Sequence, residues 1–357
     1  MKKLRIVLFM SSCYFALSLF ILSYSSGQEL IQPLSPETLA EYESLSPFEF
    51  KNVLIKKAQD SCSGENKMGR SCRVLNAGRG NPNFLNTTVR EAFSCLHTFA
   101  SELAEKTGPS SDLGIRPTKK GIAENLDLYL KNRCVGKPVM FLKKALAYAE
   151  EVLGINPDDL VFELADAALG DFYPSPPRML RNTENIVAAY LRRIHFKPGN
   201  MPKGKFDLFA TEGATAAMIY IFQSLRENEI LRYGDHIAII TPIFSPYLEI
   251  PLLNDYKLRP VYIEGSEDKG WLVSDSEIAK LEDKEIRALF MVNPMNPGSV
   301  SMSAESVDKI AGIINSKRPD LIVLTDTVYA PFVNNFNDLL QRAPANTIGV
   351  YLSLIHI

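Results

Sequence analysis

The second half of the chain predicts an α/β fold, a mostly parallel sheet with helices on both faces, and three observations lead there. From residue 205 onward short apolar runs alternate with stretches of helical periodicity, the pattern of strands joined by crossover helices. Polar, aromatic and proline-bearing residues come directly after several of those runs, where sheets of this kind carry their working groups. With 357 residues, 46% of them hydrophobic, the chain can bury a large core and still supply a smaller second unit.

Taken in order, the chain opens with a leader. Lys2, Lys3 and Arg5 precede an uncharged apolar run from Ile6 to Tyr24, and Ser25, Ser26 and Gly27 follow as small residues before Gln28. This predicts an export signal over residues 1–27, cleaved after Gly27, and hence a periplasmic protein with no membrane attachment after cleavage. An uncleaved anchor is the alternative, because the run is long enough to span a bilayer. Residues 28–72 are polar and weakly helical, broken at Pro33, Pro36 and Pro47, and read as an N-terminal arm. The segment LNAGRGNPNF, Leu75–Phe84, is too rich in Gly, Asn and Pro for helix or strand, and its Arg79 could clamp a carboxylate through two hydrogen bonds. Helical periodicity covers 88–105 and 139–153, with a Gly- and Pro-containing loop expected between them. Asp171–Pro177, DFYPSPP, forms a rigid turn into a helix with Ile186, Val187, Tyr190, Leu191 and Ile194 on one side.

The stretch Phe206–Leu225 organises the remainder of the chain. Phe206–Ala210 is mostly apolar and short enough for a buried strand, and Ala217, Met218, Ile221, Phe222 and Leu225 recur at helical spacing. Between them lie Gly213, Ala214 and Thr215. A strand that ends in small residues and opens a helix leaves free N–H groups at a positive dipole end, a seat for a phosphate. Further strands are expected at 236–240, 260–263, 288–292, 321–325 and 347–351, and helices at 214–227, 246–254, 276–283 and 303–316. Three later strand ends carry chemistry. Phe244, in Thr241–Tyr247, could present a flat face to an aromatic ligand. The turn Asn293–Ser299 holds two Asn-Pro pairs whose amides suit a phenolate or a carboxylate. Asp326 emerges from an apolar strand, which is costly without a cationic partner such as a protonated ring nitrogen, and Tyr329 lies three residues on.

A formal net charge of −2 gives no basis for binding nucleic acid. The four histidines show no metal-ligand spacing. Of the four cysteines after the leader, Cys62, Cys72, Cys95 and Cys134, the first two are closest in sequence; disulfides and scattered free thiols both remain open.

In this order and spacing, the segments LNAGRGNPNF, GDFYPSPPRML, GKFDLFATEGATAAMIYIF, FSPYLEIP, LFMVNPMNPGSV, LTDTVYAPFV and NTIGVY resemble the aspartate aminotransferase superfamily of pyridoxal phosphate enzymes, fold type I. Within it they resemble the aspartate 4-decarboxylases that also act as aspartate transaminases. The resemblance implies pyridoxal 5'-phosphate with its phosphate at Gly213, Ala214 and Thr215, its ring on Phe244, its ring oxygen at Asn296 and Tyr329, and its nitrogen at Asp326. Tyr173 would reach the phosphate of a neighbouring subunit in a homodimer. Arg79, Gly80, Asn81 and Asn296 would contact the substrate, L-aspartate, with 2-oxo acids as partners in transamination. The implied domains are an arm and partial small domain over 28–165, a large cofactor-binding domain over 166–351 and an aberrant tail over 352–357. One element departs from the family, which bonds its cofactor to a lysine shortly after the strand matching Thr347–Tyr351. Here the chain reads Tyr351-Leu352-Ser353-Leu354-Ile355-His356-Ile357, with no lysine after Lys317. The expectation is a truncated or misread chain that lacks the C-terminal small domain and is inactive as written. Two alternatives stand beside a decarboxylase: a transaminase of other specificity, and a non-catalytic pseudoenzyme.

Overall fold

The computed structural model describes residues 34–45, 47–62, 85–109, 113–170, 178–196 and 206–352. Among the described residues seven helices precede the sheet: α1 (Pro36–Ser44), α2 (Pro47–Cys62), α3 (Thr87–Thr107), α4 (Ile122–Arg133), α5 (Lys137–Glu151), α6 (Pro157–Leu169) and α7 (Arg181–His195). The first two begin on prolines, which fit a first helical turn because its N–H groups lack intrahelical acceptors anyway. Helices α3 to α6 make a core of their own from Leu96, Phe99, Ile122, Leu126, Leu130 and Val161.

The loop expected between 105 and 139 therefore contains a helix, α4. Its start has no cap of its own, since Gly121 sits at φ 78° and offers no side chain. Asp158, in the first turn of α6, caps it instead, accepting from the N–H groups of Gly121 (2.8 Å) and Ala123 (3.0 Å). A cap supplied from a distant part of the chain leaves no local signature. Helix α6 is a second addition to the expected set; Asn156 caps it by accepting from the Asp159 N–H at 3.2 Å, and Gly170 at φ 76° ends it.

Beyond residue 206 come α8 (Ala214–Glu227), α9 (Pro246–Glu249), α10 (Asp275–Ala279) and α11 (Ala304–Ser316), interleaved with β1 (His236–Thr241), β2 (Arg259–Ser266), β3 (Leu272–Val273), β4 (Ile286–Val292), β5 (Ile322–Asp326) and β6 (Thr347–Val350). The strands lie in the order β3-β2-β1-β4-β5-β6, all neighbours parallel except the short β3, which runs antiparallel to β2. Strand side chains alternate between two cores. Ile237, Ile239, Phe290, Leu324 and Val350 face Met218 and Phe222 of α8. Ala238, Ile240, Leu289, Met291 and Val323 face Val307, Ile310 and Ile314 of α11. The expected mostly parallel, doubly covered sheet is thus the observed one.

Phe206–Ala210 corrects the sequence reading. These residues are irregular and largely open to solvent, with Phe209 71% exposed. An apolar run becomes a strand only beside a partner, and β3 and β6, not this segment, form the sheet edges among the described residues. The helices expected at 246–254 and 276–283 are short α-helices, α9 and α10, each continued by a single 3₁₀ turn.

Candidate active site

After β1 the chain moves outward to β2, and after β4 it moves the opposite way to β5. Loops that diverge at such a reversal open a crevice at the carboxyl ends of the strands, where open α/β sheets bind ligands. Asp326, the last residue of β5, stands level with Val292 on β4 and Val350 on β6. It is 7% exposed. The Tyr247 hydroxyl donates to its Oδ2 at 2.7 Å and the Val328 N–H to its Oδ1 at 2.9 Å. Burial pushes the carboxyl above its ordinary pKa, and these two neutral donors offset only part of the rise. Among the described residues no cation pairs with it, so this acid is under-compensated and suits a positively charged partner.

Tyr247 arrives from α9, where Pro246 starts the helical turn that follows β1. It is buried, and desolvation first, then the charge of Asp326, pushes its phenol well above the usual range, which keeps it a donor. Phe244, three residues earlier, meets the Tyr247 ring edge to face, with centroids 5.2 Å apart at 88°. Phe244, Tyr247 and Asp326 are therefore one packed set.

The start of α8 packs on the same core through Ala214. Gly213 has φ 145° and ψ 167°, and a Cβ built there would meet nothing within 4 Å. No side chain caps α8, so the first N–H groups of the helix keep their donor capacity beside open space. The Thr211 hydroxyl is turned to the Gly213 carbonyl at 3.1 Å, and Thr215 is exposed. These features fit a phosphate at the helix end and a protonated ring at Asp326.

The two Asn-Pro pairs divide their work. Asn293 is fully buried; its amide donates to the Asn337 carbonyl at 2.9 Å and accepts from the Met302 N–H at 3.0 Å. It braces the loop and, being fully buried, is closed to a ligand, which corrects the expectation that both amides are available. Asn296 is half-buried and makes no side-chain hydrogen bond among the described residues. Tyr329 is 38% exposed, in the turn that Asp326 begins. Among the described residues no hydrogen bond or ring contact ties Asn296 or Tyr329 to Phe244 and Asp326, while Tyr173, Arg79, Gly80 and Asn81 lie outside the described residues.

Sequence reasoning missed two partners. Tyr247 was legible only as a residue one turn after Phe244. His195, at the end of α7, reads from sequence as a structural or surface residue; it is buried, pairs through Nδ1 with the buried Asp338, and sets Nε2 3.5 Å from the Thr327 hydroxyl, next to Asp326.

Residues 175–351 match the family model for aminotransferase class I and II. The chain belongs to that family. This aminotransferase chain is 43% identical over 311 residues to a bifunctional aspartate aminotransferase and L-aspartate beta-decarboxylase of a Pseudomonas species, an alignment covering 86% of the chain and 57% of that protein. It is 24% identical over 199 residues to an aspartate aminotransferase of Bacillus subtilis, covering 52% of the chain and 47% of the relative. Among solved structures, protein A1 of Pyrococcus aligns with 87% of the chain and 57% of its own, at 19% identity and a TM-score of 0.46. The aminotransferase chain thus spans about half the length of the curated relatives it matches.

Proposed function

We propose that the chain is the cofactor-binding part of a pyridoxal 5'-phosphate enzyme that converts L-aspartate to L-alanine and carbon dioxide and also transaminates it against 2-oxo acids. The observation that carries the reading is Asp326, a buried carboxylate with only neutral donors among the described residues, linked through Tyr247 to Phe244 at the crevice. The name of the Pseudomonas relative supports the substrate.

In this reading the cofactor supplies an electron sink for charge developing on the substrate. The residues of the chain bind and orient. Gly213, Ala214 and Thr215 give their N–H groups and the α8 dipole to the phosphate. Phe244 covers one face of the ring and excludes water from it. Asp326 holds a proton at the ring nitrogen, while Tyr247 holds Asp326 in place. Asn296 and Tyr329 take the ring oxygen, and Asn296 with Arg79, Gly80 and Asn81 takes the substrate carboxylates. Tyr173 reaching across a homodimer, and export by the leader of residues 1–27, belong to the same proposal.

The test is a titration with pyridoxal 5'-phosphate, monitored by the dichroism induced in the pyridine band. Saturable binding by the chain is expected, weakened roughly five- to tenfold in Phe244→Ala, since one aromatic contact contributes about 1 to 1.5 kcal/mol. No binding, or binding indifferent to Phe244, overturns the site. Carbon dioxide and alanine released from L-aspartate without added 2-oxo acid separate the decarboxylase from a transaminase of other specificity. Cofactor bound with neither product is expected of a chain with no lysine after Lys317, and the same assay on a protein that carries the family's lysine separates a decarboxylase from a non-catalytic protein.

A further inference from the structure

Cys95 and Cys134 are 39 positions apart in the chain, and the structure brings them together. Cys95 lies in the middle of α3, and Cys134 is the residue that ends α4, in extended backbone at φ −120° and ψ 149°. Both are half-buried, and both pack on the core shared by α3 to α6. The two helices meet along one seam. Phe99, one turn after Cys95, packs at a tilt on Tyr129 of α4, with ring centroids 5.5 Å apart. One step along the same seam Cys134 neighbours Cys95, both as free thiols. Tyr129, Cys95 and Cys134 pack against the same core cluster.

We propose that Cys95 and Cys134 close a structural disulfide that staples α3 to α4. The bond forms by exchange with a small or protein disulfide of the oxidising compartment. One cysteine thiolate attacks that disulfide, giving a mixed disulfide and releasing one thiol; the second cysteine then displaces the other thiol. The two cysteine protons end on the released thiols, and the electron pair reduces the donor disulfide. Half-burial leaves both sulfurs reachable for that exchange. Burial and the neighbouring Cys95 push the Cys134 thiol up to about 12, so it is not the low-pKa type that serves as a redox catalyst. The closed loop contains half of α3, all of α4 and the connection between them, a long segment whose cross-linking restricts the unfolded chain.

Periplasmic export by the leader would supply the oxidant in the cell, but the pairing itself rests on the α3–α4 geometry and is tested apart from export and from cofactor binding. The purified, reduced chain is treated with oxidised glutathione at mildly alkaline pH, alkylated, digested without reductant and mapped by mass spectrometry. The expected product is a peptide pair joined through Cys95 and Cys134, formed in wild type and equally in the Cys62→Ala, Cys72→Ala double variant. Oxidation should raise the melting midpoint by roughly 5 °C in both, and by nothing in Cys134→Ala. Cys95 joined instead to Cys62 or Cys72, glutathione left on both sulfurs, or an unchanged midpoint would each overturn the staple.

Discussion

Replacing Asp326 with asparagine removes a charge that, among the described residues, only the Tyr247 hydroxyl and the Val328 N–H stabilise in a buried position. Because burial raises the folded-state pKa above the ordinary 3.8, the folded protein keeps its proton longer than the unfolded chain. Stability from this group therefore falls as pH climbs from the unfolded pKa through the folded one. Asp326→Asn should melt higher than wild type at neutral pH, with the gap closing as pH drops toward 3.8, and should bind pyridoxal 5'-phosphate at least tenfold more weakly. Melting curves from acid to neutral pH check the first part, and a gap that widened on acidification would contradict it. Thr325, next door, has a buried hydroxyl with no partner among the described residues. Thr325→Val should leave stability unchanged or raise it by about 1 kcal/mol in urea unfolding, because the hydroxyl loses water on folding and gains nothing. The acid was legible in the sequence as a carboxylate after an apolar run. Its neighbour Tyr247 was not, since a tyrosine three residues after a phenylalanine is as common in plain cores as in sites.

Helix ends are where local sequence and tertiary contact share the work. Ser303 caps α11 within its own segment, accepting from the Ser306 N–H at 3.1 Å, and that helix is readable in the sequence. The cap of α4 comes from α6, and that helix is not. The two backbone N–H groups, Ala123 first, hold the Asp158 carboxyl below its ordinary pKa, so its contribution is present above pH 3.8 and is lost as pH falls through the lowered value. Asp158→Ala should cost about 1 kcal/mol, the usual worth of a cap, and should speed hydrogen exchange in α4 more than in α3. At the head of α8, Gly213 occupies backbone angles that side-chain-bearing residues avoid. Gly213→Val should cost about 1–3 kcal/mol and weaken binding of pyridoxal 5'-phosphate, read by the same dichroism titration; an unchanged affinity would separate this turn from the phosphate.

Across the whole molecule, α7 is the junction between the helical core and the sheet. Glu163 of α6 holds its start, accepting from the N–H groups of Asn182 (2.8 Å) and Thr183 (2.9 Å). Its far end is held by the His195–Asp338 pair and by the Gln341 amide donating to the His195 carbonyl, and Tyr351 donates to Tyr190 at 2.9 Å along its flank. His195→Ala leaves the fully buried Asp338 with the Gln341 N–H but no imidazole partner and should cost about 3 kcal/mol or more. Calorimetry should then separate the melting of the helical core from that of the sheet, and a single unchanged transition would argue against the junction. The sequence by itself determined the elements whose information is local: apolar runs that became the strands β1, β2, β4, β5 and β6, amphipathic repeats that became α3, α8 and α11, and the strand-end residues Phe244 and Asp326. Only tertiary structure decided that Phe206–Ala210 finds no strand beside it, that Asn293 is used up in bracing a loop, and that Cys95 meets Cys134. Periodicity records which face of an element avoids water, whereas pairing depends on which distant element arrives opposite it, and that is set by the packing of the whole chain.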